Sequence, residues 1–459
     1  MKHIGEDDMK SGWEEPVYMD KAERLLVLDE GKLSELSRTV IGEDPDTGLA
    51  CCPKESLKLN ENRAICGGEP HGRYQSEMCS EVYSAVKNGE SFLLNVNTSS
   101  IISTTGLNEL IKLCESMGYR IAELDLRNPG ISKNKVNIES EMLTAYAEGK
   151  EDEGAYLLAK LILRNAGEAL YLEEESRLFA AALLYPAYHN EDEGGFRVGR
   201  AFDLIMSHID DKPGMDRLME ELPDTHPGRK LYEELKITDG KKWGTLTRNI
   251  MISSFTLLMT MGSSLSKKDM DLSLPAKEKC AYFIYTEKSA REFPAAAIYT
   301  AALLQLRKYK KELAGAQLPV KVRFLLYDMS SIGEIPDIGR IVREAGEDVS
   351  FTISYRTIQE LGDIFGDTTK AEEFLEAFDT SIYMGNEELD TTVQYYGKKA
   401  FRTGEILDMD LMGRLFGMER TDALVILKGQ KPMKLRRYNL FRMENDIEKM
   451  KTNITNNNE

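Results

Sequence analysis

Apolar residues along the chain follow two different periods. Short apolar runs bounded by glycine or charged residues predict buried strands, and longer segments with apolar residues three and four positions apart predict helices. The two kinds of segment alternate, which is typical of a parallel sheet covered by helices on both faces. The predicted strands are RAIC (63–66), SFLLNV (91–96), YRIAELDL (119–126), KCAYFIYT (279–286), VKVRFLLYD (320–328), VSFTISYR (349–356), TSIYMGN (380–386) and DALVILKG (422–429).

Residues 139–262 have a helical period throughout, with charged outer faces, and predict an all-helical domain inserted into the α/β domain. Before about residue 60 the pattern predicts no element, and the polar tail is predicted to be disordered. The expected divisions are therefore an amino-terminal segment (1–60), the first part of the α/β domain (61–138), the all-α domain (139–262), the second part of the α/β domain (263–442) and the tail (443–459).

Composition narrows the class of protein. The chain has 459 residues and a formal net charge of −18, which argues against binding duplex DNA by bulk electrostatics. Its six cysteines have no Cys/His spacing typical of zinc, so we expect buried thiols, a reducing compartment and no metal site of this kind. The most apolar stretch, residues 250–265, is short and rich in Ser, Thr and Gly, and is predicted to be a buried helix.

The first predicted strand is followed by GGEPHGRY (67–74), where a P-loop fold would cradle phosphate with backbone N–H groups. Three glycines remain in this loop: Gly67, Gly68 and Gly72. Arg73 stands where a lysine would reach phosphate, and Tyr74 stands where a Ser or Thr hydroxyl would bind Mg²⁺. Glu69 and Pro70 work against phosphate binding, by negative charge and by a missing N–H.

A second candidate position follows the strand RFLL. A nucleotide-hydrolysing protein would place two carboxylates there, one to hold hydrated Mg²⁺ and one to orient water. This chain has Tyr327 and then Asp328. The loss of either group would slow phosphoryl transfer by orders of magnitude. The sequence therefore predicts a site that does not hydrolyse nucleotide, with Tyr327 as a core or cleft-lining residue.

The run from VKVRFLLYDMSSIGEIP to YYGKKAFRT resembles the carboxyl-terminal half of type IV secretion coupling proteins, the TraG/TraD class of conjugative DNA-transfer ATPases. MGYRIAELDL, ALYLEEESRLFAAALLY and DALVILKGQKPMKLRRY are similar to further segments of that family, so the resemblance spans about residues 60–440. It implies a RecA-like, P-loop-type parallel sheet with helices on both faces, interrupted by an all-α domain.

The resemblance also identifies where the chain departs from the family. The family's phosphate-binding loop corresponds to residues 67–74, and its Asp-Glu pair corresponds to Tyr327 and Asp328. The glutamine of its LQSLSQL motif corresponds to Arg356. The family's DPKGE motif has no clear counterpart in NVNTSSIISTTG of this chain. The amino-terminal membrane helices of the family also have no counterpart in this sequence. We interpret the chain as a catalytically degenerate member without its own anchor. The alternative is that Arg73 and Arg356 still bind a nucleotide, ATP with or without Mg²⁺, or another anion, without hydrolysing it.

The implied partners follow from the family. They are a relaxase or secreted protein cargo, a membrane-anchored coupling ATPase or further copies of this chain, and DNA through the complex. The implied location is cytoplasmic, or peripheral at the inner face of the membrane. Two other hypotheses stay open: a working ATPase that uses Asp328 for metal and Arg73 for phosphate, and a purely structural oligomerisation module.

Overall fold

The computed structural model describes residues 18–67, 77–97, 104–145, 150–165, 171–188, 197–235, 240–261, 269–287, 293–385, 391–401 and 421–438. The chain falls into two compact units. One comprises Met1–Ser84 with Ser354–Glu459, and the other comprises Ala85–Ile353.

Strands and helices are numbered in chain order. The described strands are β1 (Leu28–Gly31), β2 (Gly42–Glu43), β3 (Ala50–Pro53), β4 (Arg63–Cys66), β5 (Ser91–Asn97), β6 (Arg120–Asp125), β7 (Cys280–Thr286), β8 (Val322–Leu326), β9 (Val349–Tyr355), β10 (Thr380–Tyr383), β11 (Asp422–Leu427) and β12 (Met433–Arg436). The described α-helices are α1 (Lys21–Val27), α2 (Cys79–Asn88), α3 (Thr104–Ser116), α4 (Ile138–Thr144), α5 (Glu151–Asn165), α6 (Leu172–Tyr188), α7 (Arg197–Ser207), α8 (Lys212–Glu221), α9 (Pro227–Glu233), α10 (Gly240–Met261), α11 (Phe293–Glu312), α12 (Ile338–Glu344), α13 (Ile358–Phe365), α14 (Thr368–Leu375) and α15 (Thr391–Phe401).

In the Ala85–Ile353 unit the strands lie in the order β9-β8-β5-β7-β6, and every neighbouring pair is parallel. The side chains of β5, β7, β8 and β9 are almost all buried, which is why the sequence shows continuous apolar runs there. The edge strand β6 is buried only at Ala122 and Leu124. Aromatic rings fill the core, with Phe324 stacked on Phe351 at 5.2 Å and Phe92 edge-on to Phe283 at 5.6 Å. Because the strands are parallel, their carboxyl ends meet at one edge. The predicted α/β class is confirmed.

In the other unit the strand order is β1-β3-β2-β12-β11-β10-β4, and Ser354–Tyr355 at the end of β9 lies beside β4. The β4 and β10 strands are parallel, whereas the strands from β10 outward to β1 pair antiparallel. The strands β1, β2 and β3 come from the part of the sequence in which no element was predicted. The core of this unit includes Ile41, Ile65, Ile382, Val425 and Leu435, each buried.

The described residues between Ile138 and Met261 form the helices α4 to α10, as the helical period predicted. Asp211 caps α8 by accepting from the Gly214 N–H (2.9 Å), and the Trp243 indole N–H donates to the His208 carbonyl (3.0 Å). We call these helices the helical segment; that they form a separate domain stays a prediction. Among the described residues, no helix has both the length and the apolar character needed to cross a membrane.

The helix predicted over residues 250–265 is α10, which is described as far as Met261. Leu246 and Ile250 are fully buried, but Ile252 is 68% exposed and Phe255 is 52% exposed. One side of α10 therefore faces the core, and the other side presents apolar residues to solvent.

Candidate functional site

The predicted phosphate loop begins at Gly67, directly after β4. Gly67 has φ +75°, and a Cβ atom there would lie 2.0 Å from the Gly385 carbonyl oxygen. Its N–H donates to the Tyr355 carbonyl (3.1 Å), while the Met384 N–H donates to the Cys66 carbonyl (2.9 Å). Only glycine fits this close approach of β4 to β10. The other predicted loop residues lie outside the described residues: Gly68, Gly72, Arg73 and Tyr74.

Arg356 follows the carboxyl end of β9, in the same unit as Gly67. Its carbonyl accepts from the Cys66 thiol (3.6 Å), and its N–H donates to the Glu360 carboxylate (2.7 Å), so its backbone is fixed. The side chain is exposed, and within the described part of the chain no carboxylate pairs with it. The structure thus places Gly67 and Arg356 at the ends of the neighbouring strands β4 and β9.

Buried tyrosines surround this strand end. The Tyr355 and Tyr396 hydroxyl oxygens are 2.6 Å apart, and the Tyr396 ring stacks on Tyr383 with centroids 4.8 Å apart. Burial raises the pKa of Tyr355 and of Tyr396 well above the usual range, so both are neutral phenols. This packing makes the end of β9 rigid and apolar behind the exposed guanidinium of Arg356.

A second buried group, Glu77, lies two residues before the start of α2. Glu77 is only 2% exposed, and its Oε1 atom has no hydrogen-bond partner. Burial raises the pKa of the Glu77 carboxyl to about 8, against the opposing attraction of Arg63. The same Arg63 is 3.4 Å from the Glu81 carboxylate. At neutral pH the Glu77 carboxyl, just before the start of α2, is therefore mostly protonated and uncharged.

Tyr327 and Asp328 follow β8 in the Ala85–Ile353 unit, and both are buried, at 3% and 6% exposure. The Asp328 backbone is left-handed, with φ +60° and ψ 77°, a conformation that Asp tolerates better than most residues. The Asp328 carboxylate accepts from the Ser330 hydroxyl (2.7 Å) and from the Asn97 side-chain amide. Both carboxylate oxygens are therefore engaged by neutral donors of the protein itself.

Two asparagines of β5 were missed by the sequence analysis. Asn97 ends β5 and donates to Asp328, and Asn95 donates to the Tyr327 carbonyl (2.6 Å) and to Ser331 Oγ (2.9 Å). Thr286, at the end of β7, has its hydroxyl 3.1 Å from Ser331 Oγ. The signal was present in the alternation of the strand SFLLNVN, where amides at positions 95 and 97 share one face of β5.

These groups do not fit a Mg²⁺ site. Mg²⁺ needs octahedral oxygen ligands and usually one or two carboxylates. Tyr327 supplies a buried phenol in place of a carboxylate, and the Asp328 carboxylate is already bonded to Asn97 and Ser330. Within the described ranges, no group of three His, Cys, Asp or Glu side chains is close enough to hold a metal ion.

Comparisons with known proteins match the fold. The sequence matches no protein-family model and no curated protein. Among solved structures, the plasmid coupling protein TrwB in complex with the GTP analogue GDPNP is similar over 88% of this chain and 91% of its own, with TM-score 0.58 and 11% identity. TrwB in complex with ADP and Mg²⁺ matches with TM-score 0.58 and 12% identity, over the same shares of the two chains.

The structure of a second protein also matches. VirB4 of Thermoanaerobacter pseudethanolicus is similar over 89% of this chain and 98% of its own, with TM-score 0.51 and 10% identity. At such identities the likeness concerns architecture alone. The resemblance predicted from the sequence is confirmed at that level: this chain has the RecA-like P-loop fold of the conjugative coupling protein TrwB.

Proposed function

We propose that the chain is a coupling-protein-like component of a type IV secretion or conjugative DNA-transfer apparatus, and that it does not hydrolyse nucleotide. The fold shared with TrwB and VirB4 and the motif resemblance over about residues 60–440 support the first part. One observation carries the second part. The Asp328 carboxylate, which occupies the place of the family's water-orienting glutamate, is buried and bonded to the Asn97 amide and the Ser330 hydroxyl.

The chemistry of this arrangement opposes phosphoryl transfer. A general base must reach the proton that it removes, directly or through one water. Before Asp328 could orient a water, its bonds to Asn97 and Ser330 would have to break. Breaking a hydrogen bond to a buried charged group costs roughly 1.5–3 kcal/mol. Tyr327, at the place of the metal-holding carboxylate, supplies no negative charge at neutral pH.

The role that remains is that of an adaptor. It would recruit protein cargo, either a relaxase or a secreted protein, or it would join an active coupling ATPase at the membrane. The helical segment offers a surface for this role, since Ile252 and Phe255 on α10 and Met206 on α7 are each more than half exposed. The helices α7 and α10 meet at this surface, because the ring centroids of Phe202 and Phe255 are 6.2 Å apart. The acidic chain suits a protein cargo better than bare DNA.

Capture of purified relaxase by the immobilised full chain tests the adaptor role. We expect saturable capture that Ile252→Asp weakens at least tenfold. The matched control is Leu26→Asp on α1, because Leu26 is 73% exposed and lies outside the helical segment. Equal loss in both variants, or no capture of relaxase or coupling ATPase by the wild-type chain, would remove the basis of the adaptor role.

A second candidate function is nucleotide binding without hydrolysis. The exposed guanidinium of Arg356 beside Gly67 favours it, and TrwB itself was solved with GDPNP and with ADP and Mg²⁺. Titration calorimetry with ATP would compare wild type with Arg73→Ala and Arg356→Ala, using Arg343→Ala as a control for an exposed arginine on α12. Binding that both site variants abolish and the control retains would establish this function.

The two remaining hypotheses have separate outcomes. A working ATPase would show turnover that Asp328→Ala abolishes. A structural oligomerisation module would bind neither nucleotide nor cargo and would form a stable assembly in sedimentation experiments.

A further inference from the structure

A cavity of about 590 Å³ lies over the sheet of the Ala85–Ile353 unit. Its floor is formed by Val349 and Phe351, which share one face of β9 because they are two positions apart. In the strand register these residues pair with Val322, the first residue of β8, and with Phe324, its middle residue, whereas Asp328 follows the end of that strand. The lining of the cavity therefore does not include Tyr327 or Asp328. Its volume is within the range of sites for small organic ligands.

The walls of the cavity are apolar. Leu303, Leu304 and Leu306 line it from α11, Ile341 lines it from α12, and Ile335 lines it from the loop between β8 and α12. Leu303 and Leu306 are each 8% exposed, so the packing of α11 already holds them in place. Two helices on one sheet face normally close over the strands between them, whereas here a gap remains between α11 and α12. An apolar ligand body in this gap would remove the lining from water.

The rim of the cavity is basic. The charged residues of the lining are Arg307, Lys310, Lys311, Arg340, Asp337 and Glu344. Both acids pair with Arg340, at 3.1 and 3.2 Å, and Lys310 pairs with Asp348 at 2.8 Å. Arg307 and Lys311 are exposed, one helical turn apart on α11, and no carboxylate in the described ranges pairs with them. Two uncompensated cations at the mouth of an apolar cavity, in a chain of net charge −18, complement a negative charge.

We propose that this cavity binds a small amphiphilic anion, with its apolar body between α11 and α12 and a single acidic head group at Arg307 and Lys311. The apolar walls supply affinity by burial, and the two cations discriminate between head groups. A neutral molecule with the same body loses the charge-assisted contacts. A cationic molecule with the same body is repelled by both side chains.

Titration of the full chain with three ten-carbon probes tests the proposal. We expect sodium decanoate to bind saturably with one molecule per chain, 1-decanol to bind at least tenfold more weakly, and decyltrimethylammonium not to bind. The variant Arg307→Glu with Lys311→Glu should weaken decanoate at least tenfold and leave decanol within twofold. Lys321→Glu is the control, because Lys321 is exposed and outside the lining.

A second variant tests the cavity itself. Leu304 is half-buried on the wall, and Leu304→Trp should fill the gap and abolish decanoate binding with unchanged circular dichroism. If this variant fails to fold, the charge reversals on exposed residues still decide the question. Equal affinity for decanoate and decanol, or no saturable binding of either, would overturn the proposal. So would concentration-dependent dimerisation that the charge reversals abolish, because the face would then be an interface between copies.

Discussion

The side-chain amide of Asn97, at the end of β5, donates a hydrogen bond to the buried carboxylate of Asp328, which follows β8. The two residues are 231 positions apart in the chain and meet because β5 and β8 are neighbouring parallel strands. An amide can donate to a carboxylate without adding charge, so the pair is stable where a second carboxylate would not be. Under the proposed function, this hydrogen bond gives Asp328 a structural role in place of a catalytic one.

Exchanging the two groups tests that relationship. Asn97→Asp would place two carboxylates together, and we expect a loss of about 3 kcal/mol in unfolding free energy at pH 7.5. The loss should shrink toward pH 5, because the shared site then retains a proton. The double variant Asn97→Asp with Asp328→Asn restores one amide and one carboxylate, and Asn also tolerates the left-handed backbone. Urea unfolding should show recovery of most of the loss in the double variant. Purely additive losses would mean that the two side chains do not interact.

Because β4 and β10 approach closely at Gly67, we expect the methyl group of Gly67→Ala to destabilise the protein strongly. Gly67 and Gly118 both have φ +75°, but only at Gly67 would a Cβ atom collide with backbone, 2.0 Å from the Gly385 oxygen. Gly118→Ala should cost about 1 kcal/mol from backbone conformation alone. Gly67→Ala should cost about 2 kcal/mol more because the strands must shift. Chemical unfolding of the two variants measures the difference, and equal losses would contradict the observed packing.

Glu77 gives the protein a pH dependence of known sign. Its folded-state pKa is about 8 against an ordinary value of 4.5, so the folded protein retains a proton that the unfolded chain releases. This group therefore makes the protein less stable as pH rises from about 4.5 to 8, by about 5 kcal/mol in total. Glu77→Gln should remove the decline and exceed wild type in unfolding free energy at pH 9.

The matched control for Glu77 is Glu81→Gln on the same helix. Glu81 pairs with Arg63, so the loss of its charge should destabilise the protein instead of stabilising it at high pH. Identical pH slopes for wild type and Glu77→Gln would show that the Glu77 carboxyl is ionised in the folded protein.

The burial of all six cysteines predicts how the native protein reacts with a thiol reagent. All six are buried and none is paired in a disulfide. Burial raises the pKa of the Cys114 and Cys280 thiols to about 12, so almost no thiolate is present at neutral pH. We expect no reaction of the native protein with a thiol reagent and six equivalents after unfolding in denaturant. Fast labelling of any native cysteine would show that its segment opens locally.

Sequence analysis predicted the strands that have long apolar runs and missed those that lack them. The strands β4 to β11 are present close to the predicted positions. All of them except β6 are almost entirely buried, and β6 is buried only at Ala122 and Leu124. By contrast, β2 has only Gly42 and Glu43, and β1 and β3 have four residues each. Such short strands have too few residues to establish a period, and they form because neighbouring strands supply their hydrogen bonds.

Sequence analysis likewise identified some residues of the candidate site and missed others. Tyr327 and Asp328 were found because a strand end can be located from the sequence alone. Asn95 and Asn97 were missed because their partners depend on which strands are neighbours, and chain order places β6 and β7 between β5 and β8. Strand order is a tertiary property that a single sequence does not encode locally.

We propose that this chain keeps a coupling-protein fold but has lost Mg²⁺-dependent hydrolysis at the position of Tyr327 and Asp328. The most direct measurement is phosphate release from ATP by the purified full chain, with Mg²⁺ and with a chelator, for wild type and for Asp328→Asn. We predict that release equals the buffer blank in all four conditions. Mg²⁺-dependent release by wild type that Asp328→Asn abolishes would contradict the claim and would make the chain a working ATPase.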